Sequence, residues 1–394
     1  MDWGACFHIP QRKYDESPEI QVRVGDLVIT KDGTIGKVAL VDWLPGEASL
    51  NSHLFLVRPF RPELCSARFA FHVFTSSAFG RFIENQKSGS TLAGLGEAKF
   101  VRFQFPIPAI GEQIVVAGIL DTLDTAIRET EAIIAKLKAI KQGLLQDLLT
   151  RGIDANGELR PLQAEAPHLY KESPMGWIPK TWGLKPLGQI LTESTKNGLY
   201  KPSQFHGRGP LMVQMGGLFA GDAATFDTAT RVQVNPFEFN IFGLSNGDLL
   251  FARRSLVFEG AGQCVIVRNL VEPSTFESSI VRVRVRLEVA HPEFVFQFLR
   301  GHRSNAQRRK LIRQVAVSGV SGADIRELLV ALPTLEEQSW IVERQLELKN
   351  RIDLESASAA KLRNQKAGLM DDLLTGRVRV TPVLAEAALQ QGSA

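Results

Sequence analysis

Lys141-Gln-Gly-Leu-Leu-Gln-Asp-Leu-Leu-Thr150 closes a long proline-free run, and it returns as Lys366-Ala-Gly-Leu-Met-Asp-Asp-Leu-Leu-Thr375. The offset is 366 − 141 = 225, and Pro108 with Pro333, Glu112-Gln113 with Glu337-Gln338, Ile127 with Ile352 and Lys136-Leu137 with Lys361-Leu362 all obey it. One ungapped register therefore holds from Pro108 to Thr150. So long a period is not a solenoid repeat; it belongs to a duplicated two-part module. Each copy ends in a helix that follows a proline, carries acid in its first turn (Glu112; Glu336 and Glu337) and then runs free of proline.

In the first of these helices Leu120, Ile127, Ile134 and Leu148 share one heptad position, and Leu123, Leu137 and Leu144 share the other. The second helix sets Ile352, Ala359 and Leu373 against Leu348, Leu362 and Leu369. Residues 112–150 make a helix of roughly 58 Å at 1.5 Å per residue, longer than one small domain covers. Its partner is either the matching seam of the other copy or the surface of its own domain.

Outward from the helices, residues 1–107 read as strand and turn. Gly25-Asp26-Leu-Val-Ile29, the turn Lys31-Asp32-Gly33 and Gly36-Lys-Val-Ala-Leu-Val41 have the pattern of a hairpin, continued by Leu54-Phe-Leu-Val57. Phe69 to Phe82 has helical spacing, and the glycine-rich stretch Ser88 to Gly96 reads as a loop. Residues 153–173, with Asp154-Ala-Asn156-Gly157, Pro161 and Pro167, carry the turn and breaker residues of a linker. A second globular unit follows: Gly247-Asp248-Leu-Leu-Phe251 and Gly262-Gln-Cys-Val-Ile-Val267 repeat the hairpin with a longer turn that carries Arg253 and Arg254. Ser278 to Val281 matches Ser52 to Phe55, and Ser318-Gly319 matches Ala93-Gly94. The copies begin unequally. Gly176 lies 71 residues before Gly247, whereas 24 residues precede Gly25, so the first unit is short by about 47 positions (71 − 24). Either the reading frame starts further upstream or this copy is truncated.

The chain has 394 residues, 44% of them apolar, which is ordinary for a globular protein of two or three domains. No run of about 18 apolar residues exists, and Met1-Asp-Trp-Gly lacks the features of a signal peptide, so a cytoplasmic protein without a membrane partner is expected. Cys6, Cys65 and Cys264 are scattered and have neither disulfide-framework nor metal-ligand spacing, so no metal site is expected. The net charge of +4 is unevenly spread: residues 174–332 carry 19 Lys and Arg against 12 Asp and Glu, and residues 108–173 carry 7 against 10. A basic globular unit flanked by near-neutral helices is the charge pattern of a polyanion-binding module.

Pro333-Thr-Leu-Glu-Glu337-Gln338 opening a helix that closes with Leu369 to Thr375 resembles the specificity subunits of type I restriction-modification systems. So does the linker Arg151-Gly-Ile-Asp154, Arg160-Pro161, Tyr170-Lys171 and Ser173-Pro174, leading into Gly176-Trp-Ile-Pro179 and Trp182. The resemblance covers nearly the whole chain. It implies an α+β protein with an internal pseudo-twofold duplication: two globular target recognition domains joined by two long spacer helices that form an antiparallel coiled coil. The expected organisation is a shortened first recognition domain at 1–107, spacer helix at 108–152, linker at 153–173, second recognition domain at 174–332, spacer helix at 333–380 and a disordered tail at 381–394. The implied partners are double-stranded DNA, two modification (methyltransferase) subunits and the restriction (motor-nuclease) subunits. Such a subunit reads a bipartite target and positions the methyltransferases for adenine N6 methylation. It has no catalytic residues and binds no cofactor; S-adenosylmethionine, ATP and Mg are expected on the partner subunits.

Candidate contacts follow from residue chemistry. Arg253, Arg254 and Ser255 project from the second hairpin, and arginine can pair bidentately with guanine O6 and N7. Arg282, Arg284 and Arg286 alternate with apolar residues, so a strand would put them on one face, either gripping phosphates or solvated. Arg300, Arg303, Arg308, Arg309, Lys310 and Arg313 form a basic run free of acid, suited to phosphate tracking or else a plain helix surface. In the first unit the corresponding residues are Lys31, Thr34, Lys87 and Ser90. The seam, or the surface for partner subunits, is expected at Leu120, Ile127, Leu137, Leu144, Leu148, Leu348, Ile352, Leu362, Leu369 and Leu373.

Two other readings stand beside this one. A truncated remnant would bind modification subunits without reading DNA. A self-contained adenine methyltransferase would need an Asn/Asp-Pro-Pro-aromatic tetrapeptide and a glycine-rich cofactor loop. Asn235-Pro236-Phe237 lacks the second proline, Phe219-Ala-Gly221-Asp-Ala lacks the second glycine, and no Gly-x4-Gly-Lys-Ser/Thr loop exists for ATP.

Overall fold

The computed structural model describes residues 3–87, 95–314 and 318–381. The chain begins with α1 (Gln11–Asp15), then β1 (Leu27–Thr30), β2 (Val38–Leu40) and β3 (Leu54–Val57), helices α2 (Ala67–Phe74), α3 (Ser77–Lys87) and α4 (Glu97–Phe100), and the long α5 (Ile110–Thr150). Short strands follow: β4 (Tyr170–Lys171), β5 (Ile178–Pro179), β6 (Gly183–Pro186), β7 (Lys196–Asn197), β8 (His206–Val213) and β9 (Thr230–Val232), with α6 (Pro236–Phe242) after them. Next come β10 (Leu249–Ala252), β11 (Arg254–Ser255), β12 (Cys264–Ile266), β13 (Ser274–Phe276) and β14 (Ile280–Val283), helices α7 (Pro292–Arg300) and α8 (His302–Leu311), and β15 (Arg313–Gln314) with β16 (Ser318–Gly319). The chain ends with α9 (Gly322–Arg326), β17 (Leu329–Leu332) and the second long helix, α10 (Leu335–Leu374).

Two compact units result, and the parting lines fall inside the long helices. One unit joins the chain up to Lys136 to the chain from Asp353 onward; the other runs from Leu137 to Ile352. Each thus holds one part of α5 and one part of α10. In the first unit the two halves run antiparallel: Asp124 meets Lys366 at 2.5 Å, Glu131 pairs with Arg363, and Val116 and Leu120 share a core with Met370, Leu373 and Leu374. In the second, Lys141 and Leu145 lie beside Gln345, Leu346 and Lys349, and Leu148 and Leu149 share a core with Ile341 and Val342.

The duplication is visible strand by strand. In the first unit the sheet order is β2-β1-β3, with Leu27 opposite Leu40 and Val57; in the second it is β12-β10-β14-β7, with Leu249 opposite Ile266 and Val283. Both central strands start the same way. Gly25 (φ +93°) and Gly247 (φ +90°) take the left-handed conformation, and the next residue, Asp26 or Asp248, is 1% exposed. Each buried aspartate accepts a forked pair from one arginine, Arg58 (2.6 and 2.7 Å) or Arg284 (2.7 and 2.7 Å), and a backbone N–H three residues upstream. A buried carboxylate is tolerable only when so paired.

The Gln of each Glu-Gln pair fixes the long helix to its domain. Gln113 donates to the carbonyls of Leu64 and Pro108 (both 2.8 Å) and accepts from Ser66 N (2.8 Å). Gln338 donates to Val289 and Pro333 (3.4 and 3.0 Å) and accepts from His291 N (2.7 Å). Ser66 and His291 are the residues that start α2 and α7, so one fully buried amide ties the starts of two helices together in each unit.

The neighbouring carboxylates tie in the chain that leaves the other long helix. Glu337 accepts from Arg160 (2.5 and 3.0 Å), Ile153 N (2.9 Å) and the Trp182 indole (3.0 Å). Glu112 accepts from Arg379 (3.0 and 2.5 Å) and the Thr381 hydroxyl (2.9 Å), and Arg379 with Thr381 holds its carboxyl below the usual range. Residues 151–173 are therefore folded rather than loose: Ile153 bridges Leu159, Asp154 caps a turn through Asn156 N and Glu158 N, and the Tyr170 hydroxyl donates to Pro161 O.

Two local expectations change. Phe69–Phe82 is not one helix. Ser76 accepts from Phe79 N (3.3 Å) while donating to Val73 O (2.7 Å), which starts a new helix where the old one ends. The resulting pocket of rings, Phe74, Phe79, Phe82, Phe100, Phe103 and Phe105, builds an aromatic core with centroids 5.0–6.2 Å apart. The ten seam residues are buried (Leu120, Ile127, Leu148, Ile352, Leu373) or half-buried (Leu137, Leu144, Leu348, Leu362, Leu369), but not all serve only a helix pair. Leu144 and Leu148 pack in the core that holds Trp182 and Phe294, and Leu369 and Leu373 pack with Phe69 and Val73. The tail from residue 382 lies outside the described residues.

Replacing Glu337 with Ala leaves Arg160 and Trp182 unpaired, and a loss of about 3–5 kcal/mol is expected for breaking one side of a buried ion pair. Urea unfolding followed by tryptophan fluorescence measures it; a change under about 1 kcal/mol, the size of an exposed pair, contradicts this account. For Glu112 the sign runs with its lowered pKa. Its contribution is complete above the ordinary carboxylate pKa of about 4.3 and is lost as pH falls through the lower folded value. The stability gap between wild type and Glu112→Gln should therefore close on acidification below about pH 4.

Candidate nucleic-acid interface

In the second unit the turn after β10 stands out from the sheet as a small structure of its own. β11 pairs with β16, and β16 with β15, with Arg254 and Arg313 both opposite Gly319. Residues directly opposite on neighbouring strands lie about 5 Å apart, so two arginines 59 positions apart in sequence (313 − 254) occupy one row of a three-stranded sheet. Helix α8 comes up behind the turn: Arg309 lies over the Phe258 ring at 5.5 Å, and Arg308 donates to Gly262 O at 3.3 Å. Gly262 takes φ +67°, and a Cβ there would sit 3.0 Å from Arg308 Cδ, so glycine permits this approach.

The expected turn residues are thus brought together with the basic run. Arg254, Arg309 and Lys310 are exposed; Arg253, Ser255 and Arg308 are half-buried, and the Arg308 guanidinium is pushed down by burial. Arg300 pairs with Asp222 at 3.2 Å and lies over Phe296, and Arg303 is half-buried with its pKa lowered by burial, so these two face other parts of the unit. The tip also carries two residues that charge-based reading passed over: Leu256 is 94% exposed and Val257 60% exposed. An exposed aliphatic pair between arginines suits contact with a thymine methyl or a groove wall. The signal available in the sequence was the apolar Leu256-Val257-Phe258 run inside a turn.

The three alternating arginines are a correction: only Arg282 lies in β14, and Arg284 and Arg286 follow it. Arg282 is 2% exposed, donating to Gly243 O (2.6 Å) and Glu193 (2.5 Å), with its pKa pushed down by burial. Arg284 forks onto buried Asp248, which raises its pKa, and Arg286 donates to Gln189 O (2.7 Å). β14 is buried along its whole length, because the sheet is covered on both faces. Arg282 and Arg284 hold the unit together instead of facing phosphates, while Arg286 is exposed.

The first unit repeats the scaffold with other side chains. Lys31 O accepts from Leu95 N (2.8 Å) as Arg253 O accepts from Val320 N (3.0 Å), and Lys31 N donates to His53 O (3.0 Å) as Arg253 N donates to Ser279 O (2.9 Å). Lys31 Nζ lies 5.5 Å over Phe55, Asp32 pairs with His53 at 2.8 Å, and Thr34 is exposed with its carbonyl accepting from Thr30 Oγ. Lys87 ends α3, and Ser90 lies outside the described residues. Away from this turn, His72, Asp121 and Asp124 converge within 4.8 Å. Cationic side chains already meet these carboxylates: Lys366 on Asp124, and Arg68 on Asp121 at 3.0 Å. His72 Nε2 is 2.9 Å from Asp121, while its buried Nδ1 is unpartnered and burial lowers its pKa, which fits a neutral structural imidazole.

Residues 13–139 match the family described as the type I restriction modification DNA specificity domain. The chain is 27% identical over 344 residues to the type I restriction enzyme EcoKI specificity subunit of Escherichia coli (strain K12), covering 85% of this chain and 70% of that protein. It is 23% identical over 302 residues to the MjaVIII specificity subunit of Methanocaldococcus jannaschii, covering 76% and 68%. Its fold is similar to that of a type I restriction-modification S subunit from M. genitalium, at 14% identity and a TM-score of 0.54 over 91% of this chain and 84% of that one. A chain from a structural study of complex assembly in the type I R-M system gives the same TM-score at 17% identity, over 91% and 83%. Residues 13–139 thus carry a match to the type I DNA specificity domain, and over most of its length the chain is similar to specificity subunits of type I restriction-modification systems.

Arg254→Ala is expected to weaken duplex binding by the assembled complex by about 1–3 kcal/mol if it reads a base, without changing stability. Arg282→Ala is expected to do the reverse, lowering stability and leaving the affinity of the remaining folded protein intact. Paired binding and thermal-unfolding measurements check both; equal binding losses would return β14 to the interface.

Proposed function

We propose that this chain is the non-catalytic DNA-reading subunit of its complex, recognising a bipartite duplex target and positioning two methyltransferase subunits for adenine N6 methylation. The observation that carries the reading is the repeated turn. Both units hold the residue after the central strand by the same two backbone bonds, yet one turn presents Lys31, Asp32 and Thr34 and the other Arg253, Arg254 and Ser255. Two equal scaffolds with different chemistry read two different half-sites, so the target is asymmetric. In this reading the long helices that both units share set the untouched gap. Duplex DNA, modification subunits and restriction subunits are the partners. S-adenosylmethionine, ATP and Mg belong to those subunits, and the complex works in the cytoplasm. The basic run Arg309-Lys310 next to the second turn supplies sequence-independent phosphate attraction.

The test is to co-express the chain with its modification subunit in a methylation-free host and to map N6-methyladenine by sequencing. An asymmetric bipartite motif is expected. A palindromic motif would mean that the second unit alone reads and two chains assemble, and absence of methylation from an intact complex would reduce the chain to a remnant that binds its partners without reading.

A further inference from the structure

Each unit has a cavity beside its paired stretches of α5 and α10, against α2 in the first unit and against α7 in the second. The 225-residue offset reaches α2 and α7 as well, since Phe69 and Phe71 answer to Phe294 and Phe296. The two cavities therefore match position by position. In the first unit, where the cavity measures about 410 Å³, the charges are balanced. Asp121 pairs with Arg68 (3.0 Å) and meets His72 Nε2 at 2.9 Å, and Asp124 meets Lys366 at 2.5 Å.

In the second unit, where the cavity measures about 250 Å³, both carboxylates of the long helix are gone. Leu346 stands in place of Asp121 and Lys349 in place of Asp124. Lys141, the counterpart of Lys366, lines this cavity and pairs with no carboxylate among the described residues. Gln297, the counterpart of His72, donates its amide to Glu293 (3.3 Å), which leaves its buried Oε1 without a donor. Gln345 is 4% exposed and stands where the first unit has the fully buried Leu120, and its Nε2 has no acceptor. Orphan polar groups in an interior cost stability, and each calls for a partner. Four cations line the cavity against two carboxylates, and both carboxylates are engaged: Glu293 by Arg268, and Asp222 by Arg300 at 3.2 Å.

We infer that this cavity binds a hydrogen phosphate group, free or as a small monoester, which takes the place of the two missing carboxylates between α5 and α10. Its charge answers Lys141, an unprotonated oxygen accepts from the Gln345 amide, and its P–OH donates to Gln297 Oε1. The last contact selects phosphate. Sulfate or a carboxylate at neutral pH offers acceptors only and leaves the Gln297 carbonyl orphaned. Bound there, the ion joins α5 to α10 in the second unit as the Asp124–Lys366 pair does in the first, and it stabilises the folded chain by mass action. None of these residues belongs to the recognition turns, so failure of the DNA-reading function would leave the site intact.

The probe is inorganic phosphate, titrated calorimetrically into the full-length protein without DNA, with thermal unfolding followed in parallel. One saturable site per chain is expected, with an unfolding midpoint that rises with phosphate. Sulfate at equal ionic strength should bind about tenfold more weakly or worse, the loss of one hydrogen bond to a buried carbonyl. Gln345→Leu copies Leu120 of the first unit and should weaken phosphate about tenfold. It removes no charge, so its effect separates the cavity from general attraction to the basic surface. Lys349→Asp gives Lys141 the partner that Lys366 has and should abolish the phosphate-dependent rise, while Arg128→Ala, beside the first unit's cavity, should change nothing. Adenosine monophosphate tells the source: phosphate binding without it marks the free ion, binding of both marks a monoester, and either supports the site. No saturable binding at millimolar phosphate, sulfate bound as tightly as phosphate, or full affinity in Gln345→Leu would each overturn the inference.

Discussion

A carboxylate in the first turn of each long helix is the junction at which helix, chain reversal and globular core meet. Glu337 is satisfied by a guanidinium, a backbone N–H and an indole N–H, and Glu112 by a guanidinium and a hydroxyl. The helix N-terminus already favours negative charge there, and the added donors offset the desolvation that burial costs. The consequence is topological. The donors to Glu337 come from the chain after α5, and those to Glu112 from the chain after α10, so the start of each long helix is locked to the segment leaving the other. The adjacent glutamine then locks the same turn to α2 or α7, and the helix cannot slide on its domain without breaking both.

The two junctions reach one chemistry by different residues. Arg160 and Arg379 do not obey the 225-residue register, lying 10 (160 − 150) and 5 (379 − 374) residues past the ends of α5 and α10, yet each forks onto the equivalent glutamate. What the duplication preserves is therefore the demand of the buried acid, not the identity of its partner. One strand away the partner is preserved as well: Arg58 and Arg284, which follow the matching Val57 and Val283, fork onto Asp26 and Asp248.

How far the sequence could be read depended on which signal each feature leaves. The long helices and the paired hairpins were legible because the 225-residue register compares the chain with itself, and the turn residues because positive-φ glycine and hairpin spacing leave local marks. The fate of Arg282 was not. Alternation says which residues share a face, but it does not say whether that face meets solvent or a second layer, and here Leu250 and Ala252 beside it are buried as well. The seam leucines were legible only in part: Leu144 and Leu369 have the heptad spacing of a helix pair, and the same spacing serves a helix whose end is built into a domain core. Ser76 broke the helix over Phe69–Phe82 through a side-chain cap that periodicity cannot register. Leu256 and Val257 escaped because a search for DNA contacts weighs charge first.

On the function proposed above, the two turns would let such a subunit change what it reads without refolding. The residue that opens each turn is held through its own N–H and C=O, which every side chain shares, and the strand beneath it is held by a buried aspartate onto which an arginine forks from the surface side. Side chains at Lys31, Asp32 and Thr34, or at Arg253, Arg254 and Ser255, therefore carry little of the unit's stability. Substitution there changes the hydrogen-bond donors and acceptors that the turn presents, whereas substitution of Arg58 or Arg284 leaves a buried carboxylate without its ion partner. Divergence after duplication is thus channelled to the turns by the energetics of the fold itself, and two heads of one architecture come to present unlike surfaces.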